Sequence, residues 1–148
     1  MTGRTLLIGA GVFLVLFTAA LWYFQTYAFY EDLPPEPTVL GQYPVQSWEG
    51  IDAATSPLKK RVCLTVTPEV AQQIADDTSE LTGGEPLVAP SWFDCFDAET
   101  IARDLEAGKA TLHMVATSVF DGVDEYLALY PDGRAYIWRE LQPEFKNQ

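Results

Sequence analysis

The feature that most constrains this chain is an uncharged, largely apolar run from Thr5 to Tyr30. A helix needs about 20 apolar residues to cross the hydrocarbon core of a bilayer, which is roughly 30 Å thick. At about 1.5 Å per residue, the run is long enough to span a membrane with some tilt. We therefore expect residues 1–30 to form a single transmembrane anchor that contacts the lipid bilayer through residues 5–30.

The two ends of the run predict its orientation. Arg4 precedes it, whereas Glu31 and Asp32 follow it. Basic residues favour the cytoplasmic side of a membrane, and the aromatic residues at the other end suit the level of the lipid headgroups. We expect a cytoplasmic N-terminus and a periplasmic domain on the inner (cytoplasmic) membrane. The alternative is a cleaved signal peptide with its site near Thr18-Ala19-Ala20, which bulky residues follow at once.

Charge is distributed very unevenly between the anchor and the rest of the chain. The formal net charge is −12, and residues 1–30 hold one of the nine basic residues and none of the 21 acidic ones. Residues 31–148 therefore carry eight basic and 21 acidic residues, a formal charge of −13. Nucleic acid and anionic lipid both prefer a basic surface, so we expect no nucleic-acid partner. The acidity suits either a basic protein partner or solubility alone.

The segment that follows the anchor has the composition of a spacer. Residues 31–37, EDLPPEP, combine prolines with acids, and we interpret them as a linker to an extracytoplasmic domain at residues 38–148. Residues 38–48 are interpreted as an irregular arm or an edge strand, because Pro44 does not suit a central strand. Residues 50–57 are expected to form a loop.

The domain is predicted to belong to the α+β class. Period-two patterns indicate four strands, at residues 58–66, 109–120, 124–130 and 134–141. The last two form a hairpin around Pro131-Asp132-Gly133. Thr67 and Asp97 are the expected N-caps of two helices, at residues 68–75 and 98–107. We therefore predict one transmembrane helix plus a four-stranded, mainly antiparallel sheet with both helices on one face.

The hairpin has two faces of different chemistry. Its pairing sets Leu127 against Ile137 on an aliphatic face that suits packing under the helices. The other face holds Tyr126, Tyr136 and Trp138, in a row. Because antiparallel sheets often leave one face polar, this aromatic row is either a candidate docking face or a face covered by the arm at residues 39–48.

The two cysteines, Cys63 and Cys95, are expected to form a disulfide. In a small domain outside the cytoplasm, such a pair most often does so. Closing this loop would contribute roughly 3–4 kcal/mol in the chain-entropy model. Their spacing does not match a zinc motif.

The single histidine, His113, is predicted to lie on a strand, on the face opposite the aliphatic core. Without a second histidine no zinc site is expected. Cys95, His113 and Met114 are a minor copper candidate that would require reduced thiols. The sequence has no nucleophile elbow, P-loop or dinucleotide fingerprint, so we expect neither enzymatic activity nor a cofactor.

Three segments carry a family resemblance. The anchor ending in YAFYED, the central WFDCFDAE and the terminal YPDGRAYIW resemble a family of small, uncharacterised, membrane-anchored proteins of Gram-negative bacteria. Members are sometimes labelled histidine kinases automatically. A kinase would need an ATP-binding domain with glycine-rich motifs, and the sequence contains none. The resemblance brings no activity and therefore implies no functional residues.

The leading functional hypothesis is a non-enzymatic accessory or assembly subunit of a larger membrane protein complex, with a respiratory complex as the first candidate. It depends on the single anchor, the acidic domain and the aromatic row. The alternative hypothesis is a periplasmic ligand or copper carrier, or a sensor domain.

Overall fold

A computed structural model describes residues 2–147, and the chain divides into two compact units, Met1–Tyr30 and Glu31–Gln148. The first unit is dominated by helix α1 (Gly3–Thr26), which has a mean hydropathy of 2.2 and no buried residue. Its length and composition are sufficient to cross a membrane. The prediction of an N-terminal apolar helix of membrane-spanning length is therefore confirmed.

The remaining elements, in chain order, are strands and two further helices. They are β1 (Tyr30–Asp32), β2 (Thr38–Val39), β3 (Tyr43–Pro44), β4 (Ser47–Ala53), β5 (Arg61–Thr65), α2 (Pro68–Asp77), α3 (Ala98–Glu106), β6 (Thr111–Phe120), β7 (Val123–Leu129), β8 (Arg134–Leu141) and a 3-10 turn (Pro143–Phe145). One sheet has the order β1-β4-β5-β8-β7-β6, and β2 and β3 form a separate ribbon. The α+β class is confirmed.

The sheet has six strands rather than the predicted four. The four predicted strands are present, but β1 and β4 were missed. Gly50 lies inside β4, opposite Val62, and an added Cβ would come within 3.2 Å of a Val62 methyl group. The expected loop at residues 50–57 was wrong for residues 50–53, because this glycine marks a close approach of backbone to side chain rather than a break in the strand. Residues 54–57 lie outside the strands, as predicted.

The aliphatic face of the sheet is covered by α2 and by the arm that contains β2 and β3. Its core is a cluster of buried side chains from the sheet, α2 and the arm: Val39, Tyr43, Val62, Leu64, Val66, Val70, Ala71, Ile74, Leu127, Leu129, Ala135 and Ile137. The hydroxyl of Tyr43 also donates a 2.7 Å hydrogen bond to Asp77 at the end of α2. The arm therefore packs on this face and not, as the sequence suggested, on the aromatic one.

The opposite face is covered by α3 and by the long connection between the two helices. Leu81 forms a β-bridge with Leu112 at the outer edge of β6, so the chain passes round the edge of the sheet after α2. Past this edge, Gly84 lies so close to Leu112 that a Cβ added to Gly84 would come within 2.9 Å of the Leu112 side chain. From α3, Asp104 accepts a 2.7 Å hydrogen bond from the hydroxyl of Tyr130.

The two helices therefore lie on opposite faces of the sheet, which corrects the prediction that both share one face. Nothing in the pattern of residues 78–97 signals the crossing, because this connection has neither a helical nor a strand period. The N-caps were predicted correctly. Thr67 Oγ1 accepts from the backbone of Val70, and Asp97 Oδ1 accepts from that of Thr100.

Candidate functional site

The aromatic row is covered by residues 84–96, which we call the covering segment. Phe96 is buried and makes edge contacts with Tyr136 and Trp138, at ring-centroid distances of 6.0 and 6.4 Å. Tyr126 stacks on Trp138 at 6.2 Å. The row is thus part of a second core, built from aromatic rings in the offset and edge-on arrangements that they prefer.

A disulfide between Cys63 and Cys95 forms the first attachment of the covering segment. Cys63 lies on β5 directly opposite Tyr136, so the bond joins the segment to the aromatic face itself. The predicted pairing of the two cysteines is confirmed.

A buried arginine forms the second attachment. The side chain of Arg61, on β5, is only 4% exposed. Its Nε donates to the carbonyl of Leu87 at 2.9 Å, and its Nη2 donates to that of Val88 at 3.3 Å. The guanidinium also lies 5.7 Å from the centre of the Phe96 ring. One rigid, five-donor side chain thereby fixes the backbone and an aromatic ring of the covering segment.

A buried carboxylate forms the third attachment. Glu140 Oε1 accepts hydrogen bonds from the backbone N–H of Glu85 and, at 2.7 Å, from Nε1 of Trp138. Its Oε2 forms an ion pair with Lys146 at 2.9 Å. The indole that was predicted to contact a partner therefore has its polar group satisfied within the domain.

The proposed docking residues differ in how much surface they retain. Trp138 is 0% exposed, so it offers no surface to a partner, while Tyr126 and Tyr136 are half-buried. Burial raises the pKa of Tyr126, with a further contribution from Asp124. Of the two alternatives for the aromatic row, this geometry matches a covered face, although the cover is residues 84–96 rather than the arm.

The copper candidate is not assembled. Cys95 is bonded to Cys63, and His113 and Met114 are neighbours on β6 whose side chains lie on opposite faces. His113 pairs with Leu127, so it lies on the aliphatic face, which corrects its predicted placement. The alternation was misassigned because both faces of β6 are buried at this point and Leu112 packs under the covering segment. Within residues 2–147, no group of three His, Cys, Asp or Glu side chains is arranged to hold a metal ion.

His113 connects the edge strand to the end of α2. The ring is 0% exposed, and its Nδ1 and Nε2 lie 2.7 and 2.8 Å from the hydroxyls of Thr78 and Thr111. Thr78 donates its own proton to the carbonyl of Ile74, so its oxygen accepts from Nδ1–H and Nε2 accepts from Thr111. Burial lowers the pKa of His113, and the neutral ring satisfies both partners.

A network of ion pairs occupies the other end of the sheet, next to an open cleft. Glu125 is buried and pairs with Lys60 at 2.9 Å and with Arg139 at 3.0 Å. Arg139 also pairs with Asp52 at 3.2 Å. Its guanidinium lies 5.1 Å from the centre of the Phe120 ring, which is 51% exposed.

The cleft has a volume of about 410 Å³. Its lining combines acidic and apolar residues: Glu31, Asp32, Leu33, Pro34, Asp52, Ala53, Ala54, Ser56, Pro57, Phe120 and Arg139. Because Arg139 is already neutralised by Glu125 and Asp52, the free charge at the rim is negative. The arrangement suits a ligand or protein segment that carries both positive charge and an apolar side chain.

Sequence reasoning did not identify the buried charges that organise these sites. Arg61 lies in the basic run of LKKRVCLTV, where nothing in the sequence distinguishes it from the two lysines before it. Its alternation with Cys63 was the one available signal, since both side chains share a face. Glu125 and Glu140 each follow another charged residue near the end of a strand, as solvent-facing positions would, although both are buried.

The chain is thus an α+β protein with one N-terminal apolar helix and a disulfide-bonded sheet domain. It belongs to the Family of unknown function (DUF6446), whose model matches residues 36–147. The match covers nearly all of the sheet domain and does not include α1. Comparisons with curated proteins and with solved structures find no match.

Proposed function

We propose that the protein is a single-pass accessory or assembly subunit of a larger membrane protein complex, which acts through protein–protein contacts. In this proposal α1 crosses the inner membrane with its N-terminus in the cytoplasm, and residues 31–148 lie in the periplasm. The charge difference across α1 supports this orientation. The Cys63–Cys95 disulfide supports an oxidising compartment. A respiratory complex is the first candidate to examine.

The docking surface in this proposal is the acidic cleft around Phe120 rather than the aromatic row. The observation that carries it is an exposed aromatic ring fixed against Arg139, whose own position is held by ion pairs to Glu125 and Asp52. Protein interfaces are enriched in aromatic residues, and a preorganised side chain loses less entropy on binding. The formal charge of −13 on residues 31–148 favours a basic partner.

The proposal is tested by isolating the tagged full-length protein from membranes in mild detergent and identifying what is recovered with it. We expect stoichiometric recovery of one membrane complex, lost with Phe120→Ala and weakened by Asp32→Lys. Val88→Ala is the matched control, because Val88 is 83% exposed on the covering segment and lies outside the cleft. Salt should weaken the association, since rim charges are screened.

Two results would contradict the proposal. Equal recovery of the complex with all three variants would exclude the cleft as the docking surface. Recovery of the protein alone in several detergents would contradict a stable complex. The ligand-carrier alternative would then be tested by asking whether the same cleft binds small cationic ligands.

A further inference from the structure

Helix α1 carries a heptad pattern that anchoring alone does not require. Leucines recur every seven residues, and small or polar residues recur at the same interval on the adjoining positions: Leu7, Leu14 and Leu21, with Gly11, Thr18 and Gln25. Alternating spacings of four and three residues place all six on one stripe of a helix, as at the a and d positions of a coiled coil. Of the two polar residues, Thr18 lies within the apolar part of the helix, where a hydroxyl is costly towards lipid unless it finds a partner, whereas Gln25 is in the last turn, near the level of the headgroups.

A shallow, open groove borders this stripe and shares Leu14 and Thr18 with it. It is lined by Leu14, Val15, Thr18, Ala19 and Trp22, with a volume of about 540 Å³. In a parallel two-stranded coiled coil, each leucine knob enters a hole made by four residues of the facing helix. For Leu14 of a second helix, that hole would be formed by Gly11, Leu14, Val15 and Thr18, which overlaps the observed groove.

We infer that α1 is the contact surface of a parallel homodimer, and that the occupant of the groove is α1 of a second copy. The inference rests on the proposed membrane anchoring, because two copies inserted in the same orientation can only pair in parallel. Like positions then meet, so that Thr18 faces Thr18 and Gln25 faces Gln25. A hydroxyl and an amide are each both donor and acceptor, so each can hydrogen-bond to its own counterpart.

The glycine on this stripe, Gly11, also suits a second copy of α1 as the occupant. Gly11 faces Gly11 in the parallel pair, and small residues at membrane helix interfaces let backbones approach closely. An added Cβ at Gly11 would contact nothing within this chain, and the same holds for Gly9, which lies on the opposite side of the helix. These two glycines provide a matched pair of sites, in which only Gly11 would meet the second copy.

The acidic domains oppose the association. Each copy adds a formal charge of −13 outside the membrane, and like charges in the same compartment repel. Salt screens such repulsion, with a Debye length of about 8 Å at physiological ionic strength. The homodimer should therefore strengthen as salt is raised, opposite to the salt dependence expected for the cleft and its basic partner.

The test is cysteine cross-linking of the full-length protein in native membranes, followed by non-reducing electrophoresis. Leu14→Cys, Thr18→Cys and Leu21→Cys should give cross-linked dimers under mild oxidation. The matched variants Phe13→Cys, Leu16→Cys and Ala20→Cys, on the opposite side of the helix, should remain monomeric. The unsubstituted protein controls for exchange with Cys63 and Cys95, which are already bonded to each other.

Substitutions that add no thiol test the contact itself, in a reporter assay of helix association in a bacterial membrane. Gly11→Trp should abolish the signal, because the large ring keeps the facing helices apart, while Gly9→Trp should leave it unchanged. Replacing Thr18 and Gln25 together by leucine should reduce association roughly 3- to 10-fold, by removing interhelical hydrogen bonds.

Three results would overturn the inference: no cross-link at any position, cross-linking that does not follow the heptad, or products whose mass shows a different protein as the partner. A separate measurement, extraction with alkaline carbonate, tests whether α1 is anchored in the membrane. Extraction of the protein by alkaline carbonate would show that α1 does not span the membrane, whatever the cross-links. A monomer that resists extraction would overturn the homodimer and leave the anchoring intact.

Discussion

The two faces of the sheet are both buried, but they are built in different ways. The aliphatic face packs against α2 and the arm through branched side chains such as Ile74, Leu127 and Ile137. The aromatic face packs against α3 and against a segment without regular structure, which is held by a disulfide, by Arg61 and by Glu140. Apolar contact stabilises the first face, whereas the second needs directional attachments, since an irregular backbone has polar groups to satisfy.

This difference explains why an aromatic strand face in a sequence is ambiguous. A helix that covers a face is visible as a period of 3.6 residues, and α2 was predicted for that reason. A covering segment such as residues 84–96 has no period, so the face beneath it resembles a docking surface. In such cases a cysteine on the strand and a second cysteine in a long loop indicate a cover.

Trp138→Ala is expected to have the largest effect. The side chain is 0% exposed, and its Nε1 hydrogen-bonds to Glu140, so truncation leaves a large cavity and removes one of the two hydrogen bonds that Glu140 Oε1 accepts. Removing a buried tryptophan costs about 3–5 kcal/mol of unfolding free energy. Leu127→Ala on the aliphatic face is the comparison and should cost about 2–5 kcal/mol. Urea denaturation of residues 31–148 measures both, and a Trp138→Ala domain with unchanged stability would show that the aromatic face is not core.

The sequence predicted most of the sheet and less of what covers it. The predicted register of the hairpin is confirmed, including Leu127 opposite Ile137, because alternation and turn residues determine register. Strand β4 was missed because Gly50 resembles a loop residue. His113 was placed on the wrong face because alternation gives two sets of residues but does not say which set is core when both are buried.

The second prediction separates the two faces through the disulfide. Replacing Cys63 and Cys95 together by alanine should lower the unfolding free energy by about 3–4 kcal/mol, since the closed loop spans 32 residues. In hydrogen exchange, protection should fall in the covering segment, while the amides of α2 should open only with global unfolding. A uniform loss of protection on both faces would show that the cover is not a separate unit.

The third prediction concerns Arg61. Arg61→Met keeps the apolar stem but leaves the carbonyls of Leu87 and Val88 without these donors, at a cost of about 2–3 kcal/mol. Arg61→Lys keeps the charge but not the planar fork, so it should recover only part of the loss. Denaturant titration measures the two variants. Full recovery by lysine would show that the charge alone matters, and that the bidentate geometry does not.

The fourth and smallest effect belongs to the aliphatic face, where His113 should make stability depend on pH. Burial lowers its pKa in the folded state, so the unfolded chain binds a proton more readily. This contribution is complete above the unfolded pKa of about 6.5 and is lost as the pH falls towards the folded value. The charge of the nearby Glu80 opposes the shift of the His113 pKa. Carboxylates in general titrate below pH ~5.5, so titration above that pH isolates the histidine. His113→Gln should flatten the slope of unfolding free energy between about pH 7.5 and 5.5, and an unchanged slope would assign the dependence to another group.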